Sequence, residues 1–278
     1  MTEIGEATTG RTLLLPGATE TSITLSWFAT TDVGRRRHTN EDSYIAFPPV
    51  FAVADGMGGH LAGDLASAAV VKRLSEVTAE EFGSTPRVEK ALADATNDIA
   101  IIAGDSDIGV GTTVTGAVLV QIDGKPYFAV FNVGDSRVYR FEGNELHQVS
   151  TDHSLVQELV DSGLITKAQA YQHPEGNIIT RAIGFDPRPI PDYWMVPVRT
   201  GLRLLICSDG LTGELRDDRV RLHFAAGLSP EETANALVDA ALAAGGRDNV
   251  TVIIVDVVAG PDSLDTDDTA PDGRFGTR

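Results

Sequence analysis

The sequence predicts an α+β protein in which antiparallel sheets are covered by helices. Strand-like runs come in hairpin-joined sets along the chain. Helical stretches come mostly in pairs between those sets rather than one per strand, which argues against a doubly wound parallel sheet. The chain has 278 residues, 42% of them hydrophobic and 22% charged, so it can bury a sizeable core and is not a disordered polymer.

The first twenty residues are mixed and Thr/Gly-rich, and residues 1–21 are expected to be a flexible N-terminal segment. Ile23, Leu25, Trp27 and Ala29 then alternate with Thr, Ser and Phe, a strand pattern. Tyr44–Phe47 and Phe51–Ala54 flank Pro48-Pro49 as a hairpin. Ala66, Ala69, Val70, Leu74 and Val77 follow a helical period, and so do Val88, Ala91, Leu92, Ala95, Ile99 and Ile102. Val114–Gln121 and Tyr127–Val133 are strands, and Arg137–Phe141 and Glu145–Val149 flank the turn Glu142-Gly143-Asn144. Residues 150–188 differ in character. They predict short helices, with a Thr166-Lys-Ala-Gln169 capping signal and a break at His173-Pro174, projecting from the sheet scaffold as an insertion. Leu202–Cys207 and Val250–Val257 are late apolar strands. Between them Ser229-Pro-Glu-Glu232 opens a helix that Gly245-Gly246 closes. Residues 259–278 are rich in Asp and poor in apolar groups, the composition of an acidic disordered tail.

Composition excludes several function classes. The formal charge of −18, from 22 Lys+Arg against 40 Asp+Glu, repels a phosphate backbone, so nucleic acid is not an expected partner. The longest uncharged run, Ile108–Ile122, is shorter than the ~20 apolar residues of a membrane span. The N-terminus lacks the basic start of a secretory signal. A single cysteine, Cys207, excludes an internal disulfide and a thiolate zinc site. These features predict a soluble cytoplasmic protein.

The placement of the carboxylates is more informative than their number. Asp55-Gly56 follows the run Phe51–Ala54, and Asp209-Gly210 follows Leu204–Ser208. Asp135 follows Phe128–Gly134, Asp248-Asn249 precedes Val250, and Glu41-Asp42 precede Tyr44. Taken singly, each is ordinary turn chemistry. Together they place acids at the ends of several apolar strands, where packed sheets can bring them to one point. Converging carboxylates repel and are costly to desolvate unless a cation lies between them. Oxygen-only ligation suits Mg²⁺ or Mn²⁺, and glycine after Asp lets a backbone carbonyl approach an ion. A pair of such ions suits phosphoryl chemistry. Arg35-Arg36-Arg37 are the densest basic spot in the chain, either a phosphate-oxygen fork or a solvated turn.

These residues also carry a family resemblance. Thr31-Asp-Val-Gly-Arg-Arg-Arg-His-Thr-Asn-Glu-Asp42, Val53-Ala-Asp-Gly-Met-Gly-Gly-His60, Gly111-Thr-Thr113, Asn132-Val-Gly-Asp-Ser-Arg137, Thr151-Asp-His-Ser154, Ile178-Ile-Thr-Arg-Ala-Ile-Gly184, Cys207-Ser-Asp-Gly-Leu-Thr212 and Gly246-Arg-Asp-Asn-Val-Thr251 occur in the order found in bacterial PPM/PP2C-type metal-dependent serine/threonine phosphatases. The resemblance covers about residues 23–257. It implies a four-layer α-β-β-α sandwich of two antiparallel sheets flanked by antiparallel helix pairs. It places the phosphatase domain at 22–258, with 150–188 as a helical flap beside the cleft.

It further implies that Asp55 bridges two Mn²⁺ or Mg²⁺ ions, that Gly56 adds its carbonyl, and that Glu41, Asp209 and Asp248 hold the second metal. Asp42 would hydrogen-bond metal-bound water. Asp135 would share a third, weaker ion with Asp209, and Arg37 would bind the phosphate. The implied reaction is direct attack on phosphorus by the bridging water, without a phosphoenzyme, on phosphoserine or phosphothreonine in proteins. Cys207 would then be a strand residue.

The chain departs from eukaryotic relatives at Met57, where they carry a histidine proposed as general acid, although bacterial relatives commonly have Met there. His60 is a candidate substitute, with packing or helix-start polarity as its alternative role. Glu175-Gly176 stand before Asn177 where relatives often have a basic residue. Two other classes compete with the phosphatase: a binding module that senses phosphoproteins without hydrolysing them, and a hydrolase of small phosphates. No matched carboxylate is missing, which disfavours the first. Relatives oppose Ser/Thr kinases or dephosphorylate regulators of sigma factors, so phosphorylated proteins, a kinase or such a regulator are the implied partners, with neither nucleic acid nor membrane.

Overall fold

A computed structural model of the chain describes residues 1–17, 21–58, 62–104, 109–185 and 189–261. Two sheets lie face to face. The first has the strand order β1 (Glu3–Ile4), β4 (Asp42–Phe47), β5 (Val50–Met57), β7 (Val114–Ile122), β8 (Lys125–Val133) and β11 (Asp192–Pro197), with β6 (Gly111–Thr112) paired to the end of β5. The second runs β10 (Glu145–Gln148), β9 (Arg137–Glu142), β12 (Arg203–Cys207), β13 (Val250–Ala259), β3 (Ser22–Asp32) and β2 (Thr8–Leu14). All pairings are antiparallel except β1 with β4, which is parallel.

Strand periodicity builds the layers. Along β5, Phe51 and Val53 enter the core between the sheets, while Val50, Ala52 and Ala54 face the helices α1 (Gly63–Ser75) and α2 (Thr85–Ala103). Along β13, Ile253, Val255 and Val257 face inward. Val250, Val252 and Ile254 face α5 (Asp209–Thr212), α6 (Asp217–Ala225) and α7 (Pro230–Ala244) on the opposite side. The order of layers is therefore helices, sheet, sheet, helices. Trp27 of β3 meets Phe51 of β5 edge-on at 5.5 Å across the inner core, a contact worth about 0.5–1.5 kcal/mol beyond burial.

The helical faces follow the predicted periods. Val88, Leu92, Ala95 and Ile99 are buried on α2, and Ala234, Leu237, Val238 and Ala241 on α7. Ser229 caps α7 by accepting from the Glu232 amide, and Glu232 accepts in return from the Ser229 amide. Between β10 and β11 lie the short helices α3 (Leu155–Asp161) and α4 (Lys167–Ala170). Thr166 and Gln169 form the capping box the sequence predicts.

Three features correct the sequence expectations. The N-terminal segment expected to be flexible contributes β1, paired to the distant β4, and β2, paired to the next strand β3. Leu13 and Leu15 fill the inter-sheet core, and the Trp27 indole donates to the Glu6 carbonyl at 2.9 Å. Strand β11 and helix α6 were not anticipated. Among the described residues β11 pairs with β8 alone, and α6 buries only Val220 and Phe224, a sparse pattern among charged residues. Strand β13 extends to Ala259, and the predicted tail lies outside the described residues from 262 onward. Among the described residues no helix is long and apolar enough to cross a membrane.

Candidate metal centre

The strand ends do converge. Arg37, Glu41, Asp55, Gly56, Asp135, Asp209 and Asp248 line one pocket of about 440 Å³. Asp42 lies behind it, fully buried and opposite Asp55 in the β4–β5 register. His60 lies outside the described residues.

Glycine makes this proximity sterically feasible. A Cβ on Gly210 would lie 1.8 Å from the Asn249 carbonyl oxygen, so only glycine lets the Asp209 and Asp248 segments touch. A Cβ on Gly56 would lie 2.1 Å from the Gly63 carbonyl oxygen, where the start of α1 packs against Asp55-Gly56 and Glu41.

Hydroxyls and one amide hold the backbone around the acids. The Asp55 carbonyl accepts from the Thr112 hydroxyl at 2.8 Å and the Thr113 amide at 2.9 Å, and the Asp55 amide donates to Thr113 Oγ1 at 3.2 Å. Ser67 Oγ donates to the Glu41 carbonyl. Asn249 is buried and ties three segments together. Its Oδ1 accepts from the Glu41 amide at 2.8 Å, and its Nδ2 donates to the carbonyls of Val33 and Thr39 at 2.9 and 3.0 Å. Asn249, Thr112, Thr113, Ser208 and Thr251 each stand inside a quoted motif, yet nothing in the sequence alone gives them a role.

The electrostatics are those of crowded anions. Asp42 Oδ2 accepts from Ser208 Oγ at 2.8 Å and Thr251 Oγ1 at 2.6 Å. Burial still pushes its carboxyl up to about 7, aided by the charges of Asp209 and Asp248 and opposed by those two hydrogen bonds. Asp55 is raised well above the carboxylate range by burial and then by Asp42, Asp209, Asp135 and Asp248. Burial also raises Asp135 and Asp209, with Asp209 adding to the effect on Asp135, and Asp248 to that on Asp209. Arg37 donates to Asp248 Oδ2 at 2.7 Å, a bond that raises its own pKa.

This set fits divalent cations. Every donor is oxygen, and the buried Oδ1 atoms of Asp42 and Asp209 have no hydrogen-bond partner. Among the described residues, no three His, Cys, Asp or Glu side chains are already drawn into a tight cage. Part of the reason is that Asp248 is turned to other partners, Oδ2 to Arg37 and Oδ1 to the Asn249 amide at 2.8 Å.

Comparison with known proteins agrees with this geometry. A protein-family model described as Protein phosphatase 2C matches residues 39–244. The serine/threonine phosphatase stp of Listeria welshimeri is 39% identical over 241 residues, covering 81% of this chain and 93% of that protein. The crystal structure of the Mycobacterium tuberculosis serine/threonine phosphatase PstP/Ppp superposes with a TM-score of 0.78 at 35% identity, covering 84% of this chain and 99% of that one. A structure of the PstP catalytic domain in complex with two manganese ions superposes with a TM-score of 0.75 at 35% identity, covering 85% and 99%. The match takes in Glu41, Asp55, Asp135 and Asp209, while Arg37, Asp248 and strands β1, β2, β3 and β13 lie outside it. The chain belongs to the protein phosphatase 2C family.

Proposed function

We propose that the protein hydrolyses phosphoserine and phosphothreonine in proteins, using two Mn²⁺ or Mg²⁺ ions held by Glu41, Asp55, the Gly56 carbonyl, Asp209 and Asp248. The observation that carries this is the meeting of these groups with Arg37 in one pocket. When bound, the ions supply Lewis acidity and a water made nucleophilic near neutral pH. A third ion is assigned to Asp135 with Asp209.

The chain's own residues have distinct tasks. Arg37 is half-exposed in the pocket and offers a planar fork to phosphate oxygens, exchanging Asp248 for the substrate. Asp42 is held by Ser208 and Thr251 and accepts hydrogen bonds behind the ligands. Asn249 positions the Glu41 backbone.

A covalent phosphoenzyme is disfavoured by the available nucleophiles. Cys207 is buried and its thiol is pushed up to about 12. The Ser208 hydroxyl is committed to Asp42 and to the Thr251 amide. Met57 carries no proton to give; His60 is the candidate side-chain acid for the leaving oxygen, and His38 also lines the pocket. A lone buried thiol suits the cytoplasm, where a Ser/Thr kinase or a sigma-factor regulator would be the phosphorylated partner.

The test is turnover of a phosphothreonine peptide with Mn²⁺ and with chelator, for the wild type and for Asp55→Asn and Asp209→Ala. Turnover should require the metal and vanish in both variants, whose melting temperatures should not fall. Equal rates with and without metal would refute the assignment.

A further inference from the structure

A second cavity of about 420 Å³ opens from the same carboxylates. Asp135, Asn177, Asp209 and Asp248 line both spaces, so the two are continuous. Its far wall is the segment between β10 and β11. There Val156 and Val160 stand one helical turn apart on α3, beside Ala170 and Tyr171. No residue of α3 is buried, so this apolar edge is not used by the core.

Three cations of the cavity wall are paired with acids. Arg137 forks onto Asp152, with Nη2 to Oδ2 at 2.7 Å. Arg247 meets Glu214 at 2.9 Å, and Lys167 meets Asp217 at 3.2 Å. The remaining acids are those assigned to the metal centre. Beyond them the cavity offers an incoming chain the two valines, the alanine, the tyrosine ring with Arg216 stacked over it at 5.5 Å, His173 and polar groups such as Asn177.

We propose that this cavity is a specificity subsite that takes an aliphatic or aromatic side chain close in sequence to the phosphorylated residue. The inference rests on the phosphoprotein reading above. The continuity of the cavity with the carboxylate pocket argues for a substrate segment as occupant. Its volume admits a side chain of that size. Apolar complementarity of this kind discriminates by about 10- to 200-fold.

The experiment compares phosphothreonine peptides that differ only in Leu, Phe, Ala or Asp at each flanking position, with p-nitrophenyl phosphate as an ester that has no flanking side chain. The full chain is used with Mn²⁺. At one or two positions Leu or Phe should exceed Asp by about tenfold or more in kcat/KM. In Val160→Asp and Tyr171→Ala, the ratio of kcat/KM for that peptide to kcat/KM for the small ester should drop toward the Asp-peptide value, mainly through KM. Equal use of all peptides by the wild type, which needs no variant to fold, overturns the subsite and leaves the phosphatase reading intact. A preference that survives both folded variants also overturns it. Hydrolysis of the small ester with no peptide turned over removes both readings.

Discussion

Asn249 joins the loop before Glu41 to the strand that carries Asp248, through three hydrogen bonds to backbone groups. Replacing it with alanine leaves buried donors and acceptors unpaired, at a cost of about 1–3 kcal/mol. It also frees Glu41 from its register with Asp248. Support of this kind around a metal typically carries 10- to 100-fold in affinity or activity. Asn249→Ala is expected to weaken Mn²⁺ binding by about that range, measured by calorimetry, and to lower the melting temperature. A variant with full Mn²⁺ affinity would show that the loop is held by other means. Asp55 shows the opposite balance. Four neighbouring carboxylates raise its pKa together with burial, so Asp55→Asn should lose turnover while the metal-free protein becomes more stable.

At the scale of elements, the N-terminal strands are the clearest departure from expectation. β1 lies on β4, the strand of Asp42, and β2 covers the edge of the second sheet at β3. The Thr2 amide donates to Ser43 Oγ at 2.9 Å, and Ser43 meets Ser67, which holds the Glu41 carbonyl. Leu13 and Leu15 each bury a side chain worth about 1.5–3 kcal/mol. Deleting residues 1–15 is therefore expected to lower the midpoint of chemical denaturation markedly. A flexible segment would leave the midpoint unchanged, so a single denaturant titration decides the matter.

At the scale of the whole molecule, the buried carboxylates tie stability to pH and to metal. Asp42 titrates near 7 in the fold against about 3.9 in an unfolded chain, and Asp55, Asp135 and Asp209 are raised as well. Between those values the folded protein holds protons that the unfolded chain has released. Stability therefore falls as pH rises through this window. His153 and His223, both lowered chiefly by burial, act in the opposite sense below about 6.5, but they are two groups against four. The metal-free protein should melt higher near pH 5 than near pH 8. Mn²⁺ should raise the melting temperature more at pH 8, where the cations no longer compete with protons. Calorimetry at both pH values with chelator and with Mn²⁺ measures this, and an equal metal effect at both would count against the shared site.

Much of the molecule was legible in the sequence because local patterns carry it. The periods of α1, α2 and α7, the caps at Thr166 and Ser229, the apolar runs of β5 and β13, and the acids at strand ends all arise from neighbouring residues. The family motifs follow from the same stretches. The strands β1 and β11 and the helix α6 depended on partners elsewhere, and β2, though beside β3, is a short edge strand, which like a sparsely apolar helix has little local signal. Only the tertiary structure decided that Arg37 meets Asp248, 211 positions away, and that Thr251 hydrogen-bonds Asp42 across 209. Such contacts arise when packed sheets bring strand ends together, and no spacing along the chain encodes their distance.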